Sequence, residues 1–411
     1  MSAKMFFNEI SFILSFIFAL VVSACIFPSV LRFARQYGIV DNPNARKLQR
    51  VPVPVLGGTV VYCGILSGIL FSGIFLQQPV ILIAVAAMTV MAAIGTWDDI
   101  KDISALLRLA IEVILVLTLV FSTGFYIDHL NGIFGFRMMN LPSALLLSVV
   151  AGVGIINAVN LIDGVDGYSS GYGIFACTCF AVLFHKVGDA AMLSMALATI
   201  GALIPFFLHN VFGRRSKMFI GDGGTLMLGM LMTVFVFSIV SSQGPFRVLD
   251  GRNVCLPALT LAVLCIPVFD TLRVMTVRLL KGRSPFSPDK THLHHLFIDM
   301  GFSHLGAALS ILLINALVVL LWFLLWREGA SQEVQAVVVI LVSILITFGF
   351  YSLMKLHQQE GPVNAEGRPQ GTKLWKAFCK IGRMSHYEKG RLWKAITWFM
   401  DYPMMGCRKN S

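Results

Sequence analysis

Asn157-Ala-Val-Asn160-Leu-Ile-Asp163-Gly164-Val-Asp166-Gly167-Tyr-Ser-Ser-Gly171 sets two asparagines, two aspartates and three glycines between two long apolar runs. Carboxylates at a membrane boundary are costly unless something cationic uses them. The glycines let the backbone turn sharply and let a ligand approach closely. The stretch therefore reads as part of a metal and nucleotide site. The ligand spacing and closing Glu of an EF-hand are missing. Mg²⁺ fits better, because it takes one or two carboxylates and fills its shell from phosphate and water. If the preceding helix continues, Asn160 and Asp163 share a face.

The flanking runs decide the fold class. Of 411 residues, 57% are hydrophobic and 13% charged, with a mean hydropathy of +0.80; soluble chains carry about twice that share of charge. The apolar residues gather in runs of roughly 20, enough to cross about 30 Å of hydrocarbon as helix. About eleven such runs lie near 6–30, 55–76, 79–97, 106–123, 142–160, 168–186, 189–211, 224–241, 254–276, 304–326 and 334–354. The first is long and lacks a small-residue cleavage site, so it reads as a span and not a signal peptide. The expected architecture is an all-α polytopic integral membrane protein, with a transmembrane core over 1–355 and a basic tail over 356–411.

The net charge of +11 looks like a nucleic-acid signal until the basic residues are located. If the spans alternate, most Lys and Arg fall in loops on the same side as the tail. Positive-inside then puts the N-terminus outside and the C-terminus in the cytoplasm. The basicity reads as topology plus attraction to anionic lipid, with no nucleic-acid partner. The eight cysteines show no zinc or redox spacing, and six lie in apolar runs as small hydrophobes.

Other polar islands interrupt the runs. Prolines exclude helix between Gly38 and Gly58, where Val55-Leu56-Gly57-Gly58 re-enters the membrane. Arg46 and Lys47 there either meet an anion or simply mark the cytoplasmic side. Adjacent carboxylates in Trp97-Asp98-Asp99 repel, which implies a compensating cation or a retained proton. Arg108 can snorkel or reach a phosphate. The external loop with Asp128, His129 and Arg137 reads as solvated. Gly213-Arg-Arg-Ser-Lys217 leads to Phe219-Ile-Gly221-Asp222-Gly-Gly-Thr225. Such a Gly-rich turn into a helix offers free N–H groups and a dipole that would seat a phosphate, with Asp222 holding a metal.

His292-Leu-His294-His295 follows Arg278, Lys281, Arg283 and Lys290. Adjacent histidines on a helix cannot face one zinc ion, so an anionic diphosphate or sugar is the better use. In the tail, Leu374, Trp375, Phe378 and Ile381, then Leu392, Trp393, Ile396 and Phe399, read as helices in the lipid interface that catalysis does not need. Acidic clusters at run ends, on the cation-rich side, suit phosphoryl transfer between a soluble nucleotide and a membrane lipid.

In Val55 to Gly58, Trp97 to Asp99, Asn157 to Gly171, Phe219 to Thr225 and Ser284 to His295, the chain resembles the polyprenyl-phosphate N-acetylhexosamine-1-phosphate transferases over nearly all of 1–355. The Ser284–His295 form looks like the branch using UDP-N-acetylglucosamine and related sugars for O-antigen, enterobacterial common antigen or capsule. The resemblance implies Mg²⁺, with Mn²⁺ as a substitute, on Asp222 and Asn160. It implies that Asp166 reads the uracil, with Asn157 beside it in the nucleotide site. Asp98 and Asp99, with Asp163, would be the catalytic carboxylates. Lys47, Arg108, Arg283, His292, His294 and His295 would contact phosphate and sugar. Gln49 is a departure, since many relatives carry His there.

The implied partners are a UDP-N-acetylhexosamine, undecaprenyl phosphate and membrane lipid, and a homodimer is compatible with them. The implied place is the bacterial cytoplasmic membrane, with a multi-pass chain and the site on the cytoplasmic face. The expected chemistry is a single displacement at the β-phosphorus; a covalent route through Asp99 is the mechanistic alternative. An ion-coupled transporter is the alternative class. It predicts carboxylates near mid-span and internal repeats, whereas the acidic islands sit at run ends.

Overall fold

The computed structural model describes residues 3–43, 51–73, 79–130, 132–135, 138–249, 251–285, 290–360, 380–381 and 391–405. Each apolar run forms helix: α1 (Ala3–Gln36), α2 (Gly57–Ser72), α3 (Pro79–Lys101), α4 (Ala105–Thr123), α5 (Leu141–Leu161), α6 (Tyr168–Val187), α7 (Ala190–Phe212), α8 (Gly221–Val240), the pair α9 (Leu256–Val263) and α10 (Cys265–Leu280), α12 (His304–Arg327), and α13 (Gln332–Ile344) continued by α14 (Phe350–Glu360). A short α11 (Leu293–Asp299) precedes α12.

Among the described residues, nine helices are long and apolar enough to cross a membrane, or ten if the bent pair counts as one span. Two runs account for the difference from the eleven read in the sequence. α2 has only 16 residues and stops at Gly73 in a left-handed conformation. The run at 254–276 breaks at Leu264, where α9 and α10 meet at a 77° bend. Asn315 of α12 makes that break tolerable: its amide donates to the carbonyls of Ala262 and Val263 (both 3.1 Å), and its oxygen accepts the Ile266 N–H (3.1 Å). Irregular backbone at membrane depth needs such a partner.

α8 is the centre of the bundle, buried along nearly its whole length and packed by α2, α3 and α5. Small residues bring the backbones together, as in membrane helix pairs generally. A Cβ on Gly58 would run into the backbone of Gly224, and one on Gly95 into that of Asp222. After α1, β1 (Val40–Asp41) pairs antiparallel with β2 (Val53–Pro54). The re-entry at Gly57-Gly58 is stitched to the segment before α8: their N–H groups donate to the Phe219 and Ile220 carbonyls (2.9 and 2.7 Å), and Phe219 donates to Pro54 (2.8 Å). Asp128 is buried and not solvated, since it accepts the backbone N–H (2.8 Å) and the hydroxyl of Ser242. Arg137 lies outside the described residues.

Candidate active site

The polar ends of α3, α5 and α7 meet the starts of α4, α6, α8 and α12 at one end of the bundle, around a cavity of about 570 Å³. Asp98, Asp99, Asp163 and Asp222 form one side, and Asp166, Lys217 and His304 the other.

On the first side, α3 ends in Asp98-Asp99. Asp98 accepts the Ile103 N–H (2.7 Å) and the Arg108 guanidinium (2.9 Å). Arg108 also reaches Asp222 (3.4 Å) and lies 3.7 Å from Glu112. Asp99 accepts the N–H groups of Asp222 (3.0 Å) and Gly223 (3.2 Å). Gly221 makes this fit possible, with φ +70° and no Cβ to strike Asp99. The anion seat at the start of α8 is thus filled by a carboxylate of the protein itself, where the sequence suggested a phosphate. Asn160, in the last turn of α5, donates to Asp222 (2.9 Å) and Thr225 (2.8 Å).

The helix stops at Leu161, so Asp163 does not share a helical face with Asn160. It sits in the following loop, open to the cavity, and accepts the Ser169 hydroxyl (2.7 Å). Enclosure by protein comes first among the forces on Asp163; Asp222, Asp166 and Asp41 add to it, and together they lift the carboxyl to about 7 against the Ser169 hydrogen bond.

On the second side, Asp166 pairs with Lys217 (2.6 Å) and His304 (3.0 Å). Burial pushes its carboxyl up, but these two partners outweigh it and hold Asp166 below the usual carboxylate range. Asn210 of α7 fastens the loop from beneath, accepting the Gly167 N–H (2.6 Å) and donating to the Met218 carbonyl (2.9 Å).

The other expected site residues divide. His295 lines the cavity. His294 is buried against Gly164, where a Cβ would collide with its Nε2. Burial, then His295 and His292, hold His294 well below its ordinary value. His292 is turned away: its Nδ1 lies 2.9 Å from buried Asp270, which also takes the Arg273 guanidinium (2.7 Å) and the Leu293 N–H (3.1 Å). Asn157 does not line the cavity; its amide donates to the Val153 carbonyl (2.9 Å) and to Glu112. Arg283 is exposed and off the cavity wall. Lys47 lies outside the described residues.

Sequence reasoning passed over His304, Asn210, Ser169, Glu112 and the Asp270–Arg273 pair. Glu112 carried a usable signal, as an acid inside an apolar run four residues after Arg108. His304 opens an apolar helix just after the N-cap Ser303 and has no comparable mark.

Among the described residues, no three His, Cys, Asp or Glu side chains form a ready-made metal cage. The first side nonetheless carries four carboxyl groups, and the Arg108 guanidinium pairs with only two of them, Asp98 and Asp222. That excess of negative charge fits a divalent cation which takes its other ligands from phosphate and water.

Residues 81–240 match the family model described as glycosyl transferase family 4. The chain is 31% identical over 373 residues to a probable undecaprenyl-phosphate N-acetylglucosaminyl 1-phosphate transferase of Bacillus subtilis (strain 168), covering 90% of this chain and 98% of the relative. It is 32% identical over 289 residues to the undecaprenyl-phosphate alpha-N-acetylglucosaminyl 1-phosphate transferase of Escherichia coli (strain K12), covering 70% and 76%. The corresponding Yersinia pestis protein is 30% identical over 293 residues, covering 71% and 78%. The chain belongs to the polyprenyl-phosphate N-acetylhexosamine-1-phosphate transferase family.

Proposed function

We propose that this protein transfers an N-acetylhexosamine-1-phosphate from a UDP-sugar to undecaprenyl phosphate, releasing UMP and starting a lipid-linked glycan such as O-antigen or capsule. The observation that carries this reading is the two-sided cavity: an acidic side short of positive charge, and a charge-balanced side around Asp166, at one end of a multi-pass bundle. The site would face the cytoplasm of the bacterial inner membrane, with the N-terminus outside, because the basic residues Arg35, Arg214, Arg215 and Lys217 lie beside it.

Mg²⁺ would be held by Asp222, with Asn160 beside it, and would neutralise the diphosphate and the departing UMP. Arg108 fixes the orientation of Asp222 and Asp98 and adds a positive charge near the transferred phosphoryl group. Asp166, Lys217 and His304 would bind the uridine end. An oxygen of the lipid phosphate attacks the β-phosphorus, the bond to the bridging oxygen breaks, and its electron pair leaves with UMP. Asp163, with its ionisation near neutrality, is suited to take a proton from the acceptor phosphate. Asp99 already accepts two backbone N–H groups of α8, which supports direct displacement over attack by Asp99.

The test is UMP release by the purified protein from a panel of UDP-N-acetylhexosamines, with and without undecaprenyl phosphate and Mg²⁺. Release that requires both, with a sugar-diphosphate lipid as co-product, is expected. No release from any UDP-sugar would overturn the proposal.

A further inference from the structure

The C-terminal helix Arg391–Met405 packs on the end of α7. Trp393 packs on Phe212, the last residue of α7, with ring centroids 4.8 Å apart. Asp401 is buried, and one of its oxygens accepts the N–H groups of Arg214 (3.2 Å), Arg215 (3.0 Å) and Ser216 (2.9 Å) together with the Ser216 hydroxyl (2.9 Å). Successive N–H groups around one carboxylate make an anion nest, and charge-assisted bonds of this kind are strong. From the opposite end of the chain, Arg35 of α1 donates to the Arg215 carbonyl. The residue directly after this clamped turn is Lys217, the partner of Asp166.

A second cavity of about 400 Å³ adjoins the first. The two share Asp166 and His304, and Phe302, Leu305 and Trp393 add apolar wall to the second. The tail therefore meets the site twice, through the backbone that presents Lys217 and through an aromatic wall beside Asp166.

We propose that the C-terminal helix is a working part of the donor site: Asp401 is a positioning residue that holds the 214–216 turn so that Lys217 meets Asp166, and Trp393 walls the chamber next to that pair, which receives the nucleoside end of the donor. The proposal rests on reading the cavity as a nucleotide-sugar site, so its test includes measurements that need no donor.

The experiment uses full-length protein in lipid nanodiscs, comparing wild type with Asp401→Ala, Asp401→Asn and Trp393→Ala. Without the carboxylate, the amides of Arg214, Arg215 and Ser216 lose their acceptor, and their hydrogen exchange rises about tenfold or more. Lys217, freed from its position, becomes reactive toward an amine-acylating reagent read by mass spectrometry. With the UDP-sugar that wild type uses, Asp401→Ala raises donor KM about tenfold while kcat stays within about threefold, and Asp401→Asn falls between. Trp393→Ala raises donor KM and leaves exchange at 214–216 unchanged.

Unchanged exchange at 214–216 in Asp401→Ala would overturn the latch. Faster exchange with unchanged Lys217 labelling and unchanged donor KM would overturn the positioning role. If Asp401→Ala does not fold, the Asn variant decides on the same readouts. A wild type that uses no UDP-sugar would defeat the functional reading alone, and exchange with Lys217 labelling would still decide whether the helix sets the lysine.

Discussion

Asp163 and Asp166 stand three residues apart in one loop and line one cavity, yet their surroundings drive them in opposite directions. Asp163 has the Ser169 hydroxyl for a partner and faces the charge of Asp222; enclosure and that charge lift it to about 7. Asp166 is pushed up by burial too, but Lys217 and His304 hold it down. The difference lies in counter-charge and not in residue type. One side of the cavity is left in need of a cation, which under the proposed function a metal with its phosphates would supply. The other is balanced and can direct hydrogen bonds at a polar ligand without recruiting an ion.

The sharpest way to break this contrast is to remove the acidic side. Asp222→Ala or Asp99→Ala should lower kcat by roughly 10³-fold, the scale of losing preorganised charge stabilisation, and excess Mg²⁺ should not restore it. Steady-state UMP release measures this, and near-normal kcat in both would refute the division of labour. The balanced side should respond differently. Lys217→Ala or Asp166→Asn should raise donor KM about tenfold with little change in kcat, and the double variant should cost less than the two losses summed, because both break one pair.

Gly164 lies between the two aspartates and against His294. Gly164→Ala forces the loop or the ring aside, and overpacking of this kind costs roughly 1–3 kcal/mol. Activity should fall several-fold with a lowered melting temperature; an unchanged protein would mean that the loop gives way freely.

The pH profile sharpens the comparison further. A carboxyl lifted to about 7 is protonated below that pH and ionised above it, so kcat/KM should rise from pH 6 to 8 with an inflection near 7. Bound cation stabilises the ionised form, so raising Mg²⁺ should move the inflection down. Asp163→Asn should be slower and flat across the range. An inflection that persists in that variant assigns the proton to another group. The smallest effect is expected at Arg283, exposed and off the cavity wall: Arg283→Ala should change either constant by less than about twofold. A tenfold loss there would show that its segment folds over the ligand during turnover.

How far the site could be read in advance follows from how local each signal was. Asp98-Asp99, Asn160, Asp163, Asp166 and Asp222 stood out because a charged or amide side chain at the edge of an apolar run needs a reason. Their partners did not. Lys217 meets Asp166 across 51 residues, His304 meets it across 138, and Asp401 meets Ser216 across 185. No spacing rule reaches so far. The same limit explains the histidines. In sequence, His292, His294 and His295 form one cluster, but Asp270 draws His292 away and Gly164 buries His294, leaving His295 on the cavity.

What the amino-acid order determined alone was a bundle of apolar helices with carboxylates at their ends. In hydrocarbon every backbone polar group must be bonded within the chain, and charge is driven to the boundary. Tertiary structure decided which carboxylate received a counter-charge and which did not. That depended on α8 being gripped through glycine contacts by α2 and α3, which put Asp99 on its first N–H groups, and on α5 meeting α8 closely enough for Asn160 to reach Asp222. Both are matters of fractions of an ångström between segments far apart in the chain.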